Sequence, residues 1–242
     1  MGIERLAVIG LGLIGSSIAR AVKARLPDVA VTGHDGSADV RDEARLLGFC
    51  DRIADDAADA VRDADLVILA VPVGGMADAA RAMAPGLAEH TIISDVGSSK
   101  AGVGAALRAA LPGHLVIPAH PVAGTENSGP AAGFATLFEG RWCIITPAPD
   151  APEDAVAALA GFWQALGATV DTMDAEHHDM VLAVTSHLPH LIAYTIVGTA
   201  SELEEVTESE VIKYSAGGFR DFTRIAASAP VMWRDVFLAN KD

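Results

Sequence analysis

The sequence predicts an α/β fold, a doubly wound parallel sheet followed by an all-helical C-terminal part. Three observations carry this. Short apolar runs without polar alternation, the pattern of strands buried on both faces, take turns with helix-like stretches up to residue 173. The first of these runs leads at once into Gly10-x-Gly12-x-x-Gly15, a glycine pattern set between a strand and a helix. From Asp174 onward only helix-like segments follow. The expected organisation is therefore an α/β domain over residues 1–173 and a helical domain over residues 174–242.

Leu6-Ala7-Val8-Ile9 reads as the first buried strand, and the stretch after Gly15 through Arg25 as a helix closed by Pro27. In that setting the first glycine allows a tight turn, the second lets backbone approach a pyrophosphate, and the third lets helix and strand pack closely. The helix start offers free N–H groups and positive dipole to phosphates. Gly10, Gly12, Leu13, Ile14 and Gly15 are thus candidate dinucleotide-binding residues. Val29 to Asp35 reads as a second strand ending in an acid, 20 positions after Gly15. That is near the spacing at which a carboxylate meets the adenosine ribose hydroxyls, where it would repel a 2′-phosphate, so NAD is expected over NADP. Asp35 also suits a turn or helix cap before Gly36-Ser37, and both roles can coexist.

The alternation continues. Ser37 to Leu47 is helix-like with Gly48 just past its end, Phe49 to Ile53 a short strand, and Asp56 to Ala64 a short helix. Asp65 to Pro72 is a further buried strand, whose end, Val71-Pro72, is assigned to the cofactor's surroundings. Thr91 to Asp95 is a strand and Val103 to Ala110 a helix; Arg141 to Thr146 and Ala168 to Met173 are strands around an amphipathic helix from Glu153 to Leu166. Met180 to Ser201 lacks Asp, Glu, Lys and Arg and is long enough to span a bilayer. It also carries His187, Pro189, His190 and several Ser and Thr, and is read as a buried helix. Pro230 to Ala239 is the last helix.

Composition narrows the classes. With 51% hydrophobic residues the chain can bury a large core, and its net charge of −15, without a local basic cluster, opposes nucleic acid and anionic membranes as partners. Two distant cysteines, Cys50 and Cys143, suggest no disulfide framework, and no cleavable leader pattern follows Met1. A cytoplasmic location is expected.

The chemistry gathers in two loops. The apolar run Leu115 to Ala119 stops directly before His120, which places that histidine where a buried strand ends and a loop opens. Imidazole titrates near neutrality and suits proton acceptance. The other loop is Asp95-Val96-Gly97-Ser98-Ser99-Lys100, with Ser98 as candidate hydroxyl. If the sheet is parallel, both loops open on the face of the glycine loop. No histidine pair has metal-ligand spacing, so no metal is expected.

Together with Ser186-His187-Leu188-Pro189-His190, Gly217 to Ala226 and Met232-Trp233-Arg234-Asp235, these motifs make the chain resemble the prephenate/arogenate (cyclohexadienyl) dehydrogenases of tyrosine biosynthesis. The resemblance spans nearly the whole chain. It implies a Rossmann-type domain and a helical domain through which two subunits dimerise. It also implies hydride transfer to NAD with loss of the ring carboxylate as CO₂. By it, His120 accepts the hydroxyl proton, Ser98 holds hydroxyl and imidazole in register, and Arg224 grips a substrate carboxylate. His190 and His187 fall on the substrate side, as does Thr125 on the loop after His120, while the acids Glu126 and Asp221 hold the guanidinium or gate the site. Prephenate is favoured and arogenate accepted, since the histidine pair offers no acid for arogenate's ammonium. The family's helical domain usually continues past the Trp-Arg-Asp motif, so truncation or a reduced dimer interface is expected here. Two other readings stay open: a non-catalytic NAD sensor, and a β-hydroxyacid-type dehydrogenase with a lysine base, for which Lys213 is the helical domain's one candidate before Lys241.

Overall fold

Successive residues of the first strand, β1 (Arg5–Ile9), point to opposite sides of the main sheet, and two apolar clusters form there. Leu6 and Val8 enter one, with Ile18, Val22, Phe138 and Trp163; Ala7 and Ile9 enter the other, with Met76, Met83 and Leu107. A strand sandwiched in this way has no solvent face, which is why its sequence shows no polar alternation. The computed structural model describes residues 2–202 and 217–241, apart from the side chains of residues 201, 202 and 220–222.

The main sheet is parallel, in the order β3-β2-β1-β4-β5-β6. Its other strands are β2 (Ala30–His34), β3 (Arg52–Ile53), β4 (Leu66–Leu69), β5 (Ile92–Asp95) and β6 (Leu115–Val116). The helices between them are α1 (Leu13–Arg25), α2 (Ala38–Leu47), α3 (Ala57–Ala60), α4 (Met76–Met83) and α5 (Ala101–Ala110). Ser37 caps α2 by accepting from Val40 N, and Gly48 closes it at φ 64°, a conformation that favours glycine. The order reverses between β1 and β4, and such a switch point opens a crevice at the carboxyl ends of the strands. Helix α4 was not anticipated, because its start is masked by Gly74-Gly75 and its end by Pro85.

His120 does not lie in a loop beyond a strand of this sheet. The ladder breaks at Pro118, which has no N–H to donate, and β6 stops at Val116. The chain then enters a second sheet, β7-β8-β9, as β7 (Ala119–Pro121), which pairs antiparallel with β8 (Trp142–Ile145) so that His120 faces Ile144. Strand β8 runs parallel to β9 (Thr169–Thr172), joined through α6 (Glu153–Ala165).

After β9, Asp174 caps α7 (Ala175–Leu182) by accepting from His177 N. A π-turn, Ala183–His187, carries the helix into α8 (Leu188–Glu202). Pro189 does not break this helix, since it falls in the first turn after the π-turn, where a missing N–H is tolerated. The expectation of a buried helix is corrected. Between Ala175 and Ala200 the helix is long and apolar enough to cross a membrane, yet only 17% of its most apolar window is buried within the chain. Met180, Val184, Leu188, Leu191 and Ile192 form an exposed stripe. Beyond residue 216 follow α9 (Gly217–Thr223), a 3₁₀ turn (Arg224–Ala227) and α10 (Pro230–Ala239).

Candidate active site

At the switch point the first and third glycines of the pattern have the tight turn and the close packing that their spacing predicts. Gly10 adopts φ 99°, and a Cβ there would stand 2.5 Å from the Ala70 carbonyl oxygen and 2.9 Å from Val71 Cγ1. A Cβ on Gly15 would stand 1.9 Å from the Gly10 carbonyl oxygen, so only glycine lets α1 start this close to β1. At Gly12 nothing lies within 4 Å, and no side chain caps α1. The helix start is open, as pyrophosphate binding requires. Leu13 and Ile14 pack against the core, leaving their backbone N–H groups at that open end. Asp35 sits just past β2, with Oδ2 accepting from Leu11 N and Oδ1 from Ser37 N, both at 2.9 Å. The carboxylate is therefore fixed against the glycine loop and keeps lone pairs for ribose hydroxyls. Val71 and the exposed Pro72 border the same crevice after β4. These residues fit a dinucleotide.

His120 is buried in β7, where the second sheet meets the helical part. Its Nδ1 lies 2.9 Å from His178 Nε2, and His178 Nδ1 lies 2.8 Å from Asp179 Oδ1. Asp179 in turn accepts from Lys100 N at 2.7 Å and from Ala101 N at 2.9 Å, the start of α5. Lys100 is wholly buried and donates from Nζ to Asp95 Oδ2 and, at 2.7 Å, to the Ala119 carbonyl beside His120. Burial pushes the His120 imidazole well below its ordinary pKa, helped by the charges of Lys100, His178 and His187. It is held neutral, as a proton acceptor must be.

The structure redistributes the other expected roles. Ser98 is half-buried, but among the described residues no hydrogen bond joins its hydroxyl to His120; the ring's partner is His178. His187 is buried against the Ser98 backbone and lies 3.0 Å from Asn240 Nδ2 through its Nδ1. His190 bonds the Ser186 carbonyl at 2.8 Å and stacks on Trp233, ring centroids 3.6 Å apart. Thr125 and Glu126 are exposed, Thr125 accepting from Asn127 N. Arg224 is exposed and makes no ion pair with Glu126; the side chain of Asp221, and Lys213 altogether, lie outside the described residues. The buried lysine near the site is Lys100, committed to Asp95 and Ala119. Sequence reasoning missed His178, Asp179, Lys100 and Asp95 as functional groups.

An open glycine-loop helix, an acid fixed against that loop and a buried imidazole held below its ordinary pKa suit a dinucleotide-dependent dehydrogenase. Comparison with known proteins narrows the class. A profile of the prephenate dehydrogenase nucleotide-binding domain matches residues 18–172, and one of the prephenate dehydrogenase dimerization domain matches residues 174–242. A cyclohexadienyl dehydrogenase of Zymomonas mobilis is 52% identical over 98% of this chain and 81% of its own length. A prephenate dehydrogenase of Bacillus subtilis is 38% identical over 99% of this chain, which spans 65% of that relative's length. The crystal structure of prephenate dehydrogenase from A. aeolicus in complex with hydroxyphenyl propionate and NAD⁺ superposes with a TM-score of 0.90 at 32% identity, covering 100% of this chain and 84% of that one. The chain belongs to the prephenate dehydrogenase family.

Proposed function

We propose that this chain catalyses the NAD-dependent oxidative decarboxylation of cyclohexadienyl substrates, prephenate first and arogenate second, yielding 4-hydroxyphenylpyruvate or tyrosine. The observation that carries the reading is the buried His120, held below its ordinary pKa and lined up with His178 and Asp179, in a chain whose glycine loop is open to a dinucleotide. Gly10, Gly12, Leu13, Ile14 and Gly15 would hold the pyrophosphate by backbone, Asp35 the adenosine ribose, and Val71 and Pro72 the crevice wall. Bound there, NAD⁺ supplies the hydride acceptor. His120 takes the ring hydroxyl proton as the carbon beneath that oxygen is oxidised, and Ser98 positions the hydroxyl. Loss of the ring carboxylate as CO₂ leaves its electron pair to complete the aromatic ring, so the protein's task is orientation more than bond-breaking. Arg224 is assigned to the substrate's side-chain carboxylate, with Thr125, Glu126 and Asp221 around it and His187 and His190 lining the ring, His190 held flat on Trp233.

The same proposal places the enzyme in the cytoplasm as a homodimer. A second copy covers the apolar stripe from Met180 to Ile192, since a monomer rarely exposes so continuous an apolar face.

A steady-state assay of both substrates with both cofactors, on wild type and His120→Asn, tests the reading. Expected are turnover of prephenate with NAD⁺ and a loss of about 10²–10⁴-fold in the variant with NAD⁺ affinity kept. A folded variant that retains turnover would remove His120 from the mechanism.

A further inference from the structure

Nothing in the reaction scheme explains why a second histidine and an aspartate stand in line behind His120, and hydrogen-bond valence does. Burial pushes the Asp179 carboxyl up, but bonds from His178, Ala101 and Lys100 outweigh this and hold it below the usual range. Ionised, Asp179 can only accept, so the nitrogen of His178 that faces it at 2.8 Å must carry a proton. A neutral His178 then has a bare Nε2. Across the 2.9 Å contact that bare nitrogen needs a donor, and the only candidate is the Nδ1–H of His120. The proton of His120 is thereby fixed on Nδ1, and Nε2, which no group hydrogen-bonds among the described residues, is left with its lone pair.

We infer that His178 and Asp179 are positioning residues that lock His120 into the one neutral tautomer able to take a proton at Nε2. The inference rests on the proposed role of His120 and deepens it. A free neutral imidazole is at liberty to put its proton on either nitrogen, and on Nε2 it would meet the substrate hydroxyl as a donor. Two further features support the assignment. His178 is wholly buried and His120 nearly so, their rings edge to face with centroids 5.1 Å apart, so rotation away is blocked. Asp179 is pinned by the N–H groups of Lys100, just before α5, and Ala101, its first residue, so its direction is set by the Rossmann-type part while its backbone belongs to the helical part. The line of three groups therefore registers one part of the molecule against the other at the reacting atom.

The line also has a place for the proton's charge. When His120 Nε2 takes the substrate proton, the Nδ1 proton can pass to His178 Nε2, and the positive charge then lies beside Asp179. No atom is left over: one O–H bond breaks, one N–H bond forms on His120, and one proton shifts along an existing hydrogen bond. The titratable or charged groups facing this pair are Lys100 and Asp95 from the start of α5 and the end of β5, Cys143 from β8, His187 from the π-turn, and Asp179 itself.

The test combines two readouts. In the enzyme carrying ¹⁵N-labelled histidine, at neutral pH, His120 should show a protonated Nδ1 and a bare Nε2, its signals assigned by their loss in His120→Asn. In steady state, His178→Phe should lower kcat by about 10²–10⁴-fold with KM for prephenate and NAD⁺ nearly unchanged. His178→Gln, whose amide oxygen can still accept from Nδ1, should recover kcat to within about tenfold of wild type, with its pH profile displaced because the link to Asp179 is cut. A His120 protonated at Nε2 overturns the inference, and so does a folded His178→Phe with wild-type kcat. If His178→Phe does not fold, a His178→Gln with an undisplaced pH profile overturns it equally. The spectrum does not depend on turnover, so a chain inactive on prephenate that shows the expected tautomer would sink the proposed reaction and leave the lock standing.

Discussion

Replacing Lys100 by Met should destabilise the protein in a way that depends on pH. Lys100 and Asp95 are both wholly buried, and Lys100 Nζ donates to Asp95 and to the Ala119 carbonyl. Burial pushes the Asp95 carboxyl up and the Lys100 ammonium down, and each holds the other ionised. Without Lys100, Asp95 has no counter-charge and must take a proton to stay buried. Against an unfolded carboxyl of pKa about 3.9, keeping it protonated at pH 7 costs about 4 kcal/mol, at roughly 1.4 kcal/mol per pH unit. That agrees with the ~3–5 kcal/mol lost when one partner of a buried pair is removed. The unpaired Ala119 carbonyl adds about 1–3 kcal/mol that does not vary with pH. The sign follows from proton counting: above pH 3.9 the variant's folded state binds one more proton than its unfolded state, so its stability falls as pH rises. The wild-type pair binds the same number in both states. Urea unfolding at pH 5, 6 and 7 should show the gap between wild type and Lys100→Met widening by about 1.4 kcal/mol per unit. Adding Asp95→Asn, which keeps an acceptor for Gly97 N, should flatten that dependence. A gap under about 1 kcal/mol at pH 7, or one equal at all three pH values, would refute the reasoning.

Three other outcomes follow from the site. Asp35→Ser should lose preference for NAD⁺ over NADP⁺ by about tenfold or more, read as the ratio of kcat/KM values, since the carboxylate that would repel a 2′-phosphate is gone; an unchanged ratio removes Asp35 from cofactor choice. Arg224→Ala should raise KM for prephenate by about tenfold or more, since hydrogen bonds to a charged group worth ~1.5–3 kcal/mol are lost, and leave KM for NAD⁺ alone; an unaltered prephenate KM ends the clamp. Val184→Asp combined with Leu191→Asp places two carboxylates in the exposed stripe and should shift sedimentation from dimer toward monomer, and a dimer of wild-type affinity would show that another face is used.

The α/β part was legible because its constraints are local. A strand covered on both faces must be apolar where it is covered, as β4 is and as β1 is from Leu6 on, and a helix packed this close to the chain leaving β1 needs glycine in its first turn, as the 1.9 Å approach at Gly15 shows. Where the reading failed, a non-local choice intervened. Leu115 to Ala119 looked like one strand, but Pro118 forced a change of sheet, and which sheet receives β7 depends on β8, some 20 residues further on. Met180 to Ser201 was read as a buried helix because it carries no charged residue. The chain alone cannot tell whether its own core or a second copy covers such a helix, since both remove the same surface from water.

The same distinction explains the site. Ser98 could be picked out from its position just past a strand and His120 from the apolar run before it, although His120 lies within β7, but the groups that set the state of His120 come from 58 positions away in sequence and act through pairing. A weak signal was nevertheless present. His178, Asp179, Leu182 and His187 are the buried residues of α7 and the π-turn, and three of those four are polar within a stretch otherwise rich in Val, Leu, Ile and Ala. Burying polar side chains on a helix is costly unless each finds a partner. A buried set composed chiefly of hydrogen-bonding groups therefore implies that complementary groups wait across the interface, and here the Lys100 and Ala101 amides, Asn240 and the His120 ring are those groups. The histidine that sequence reasoning put at the centre is thus half of a contact whose other half was written into the helical part, where an apolar reading of Met180 to Ser201 drew attention away from it.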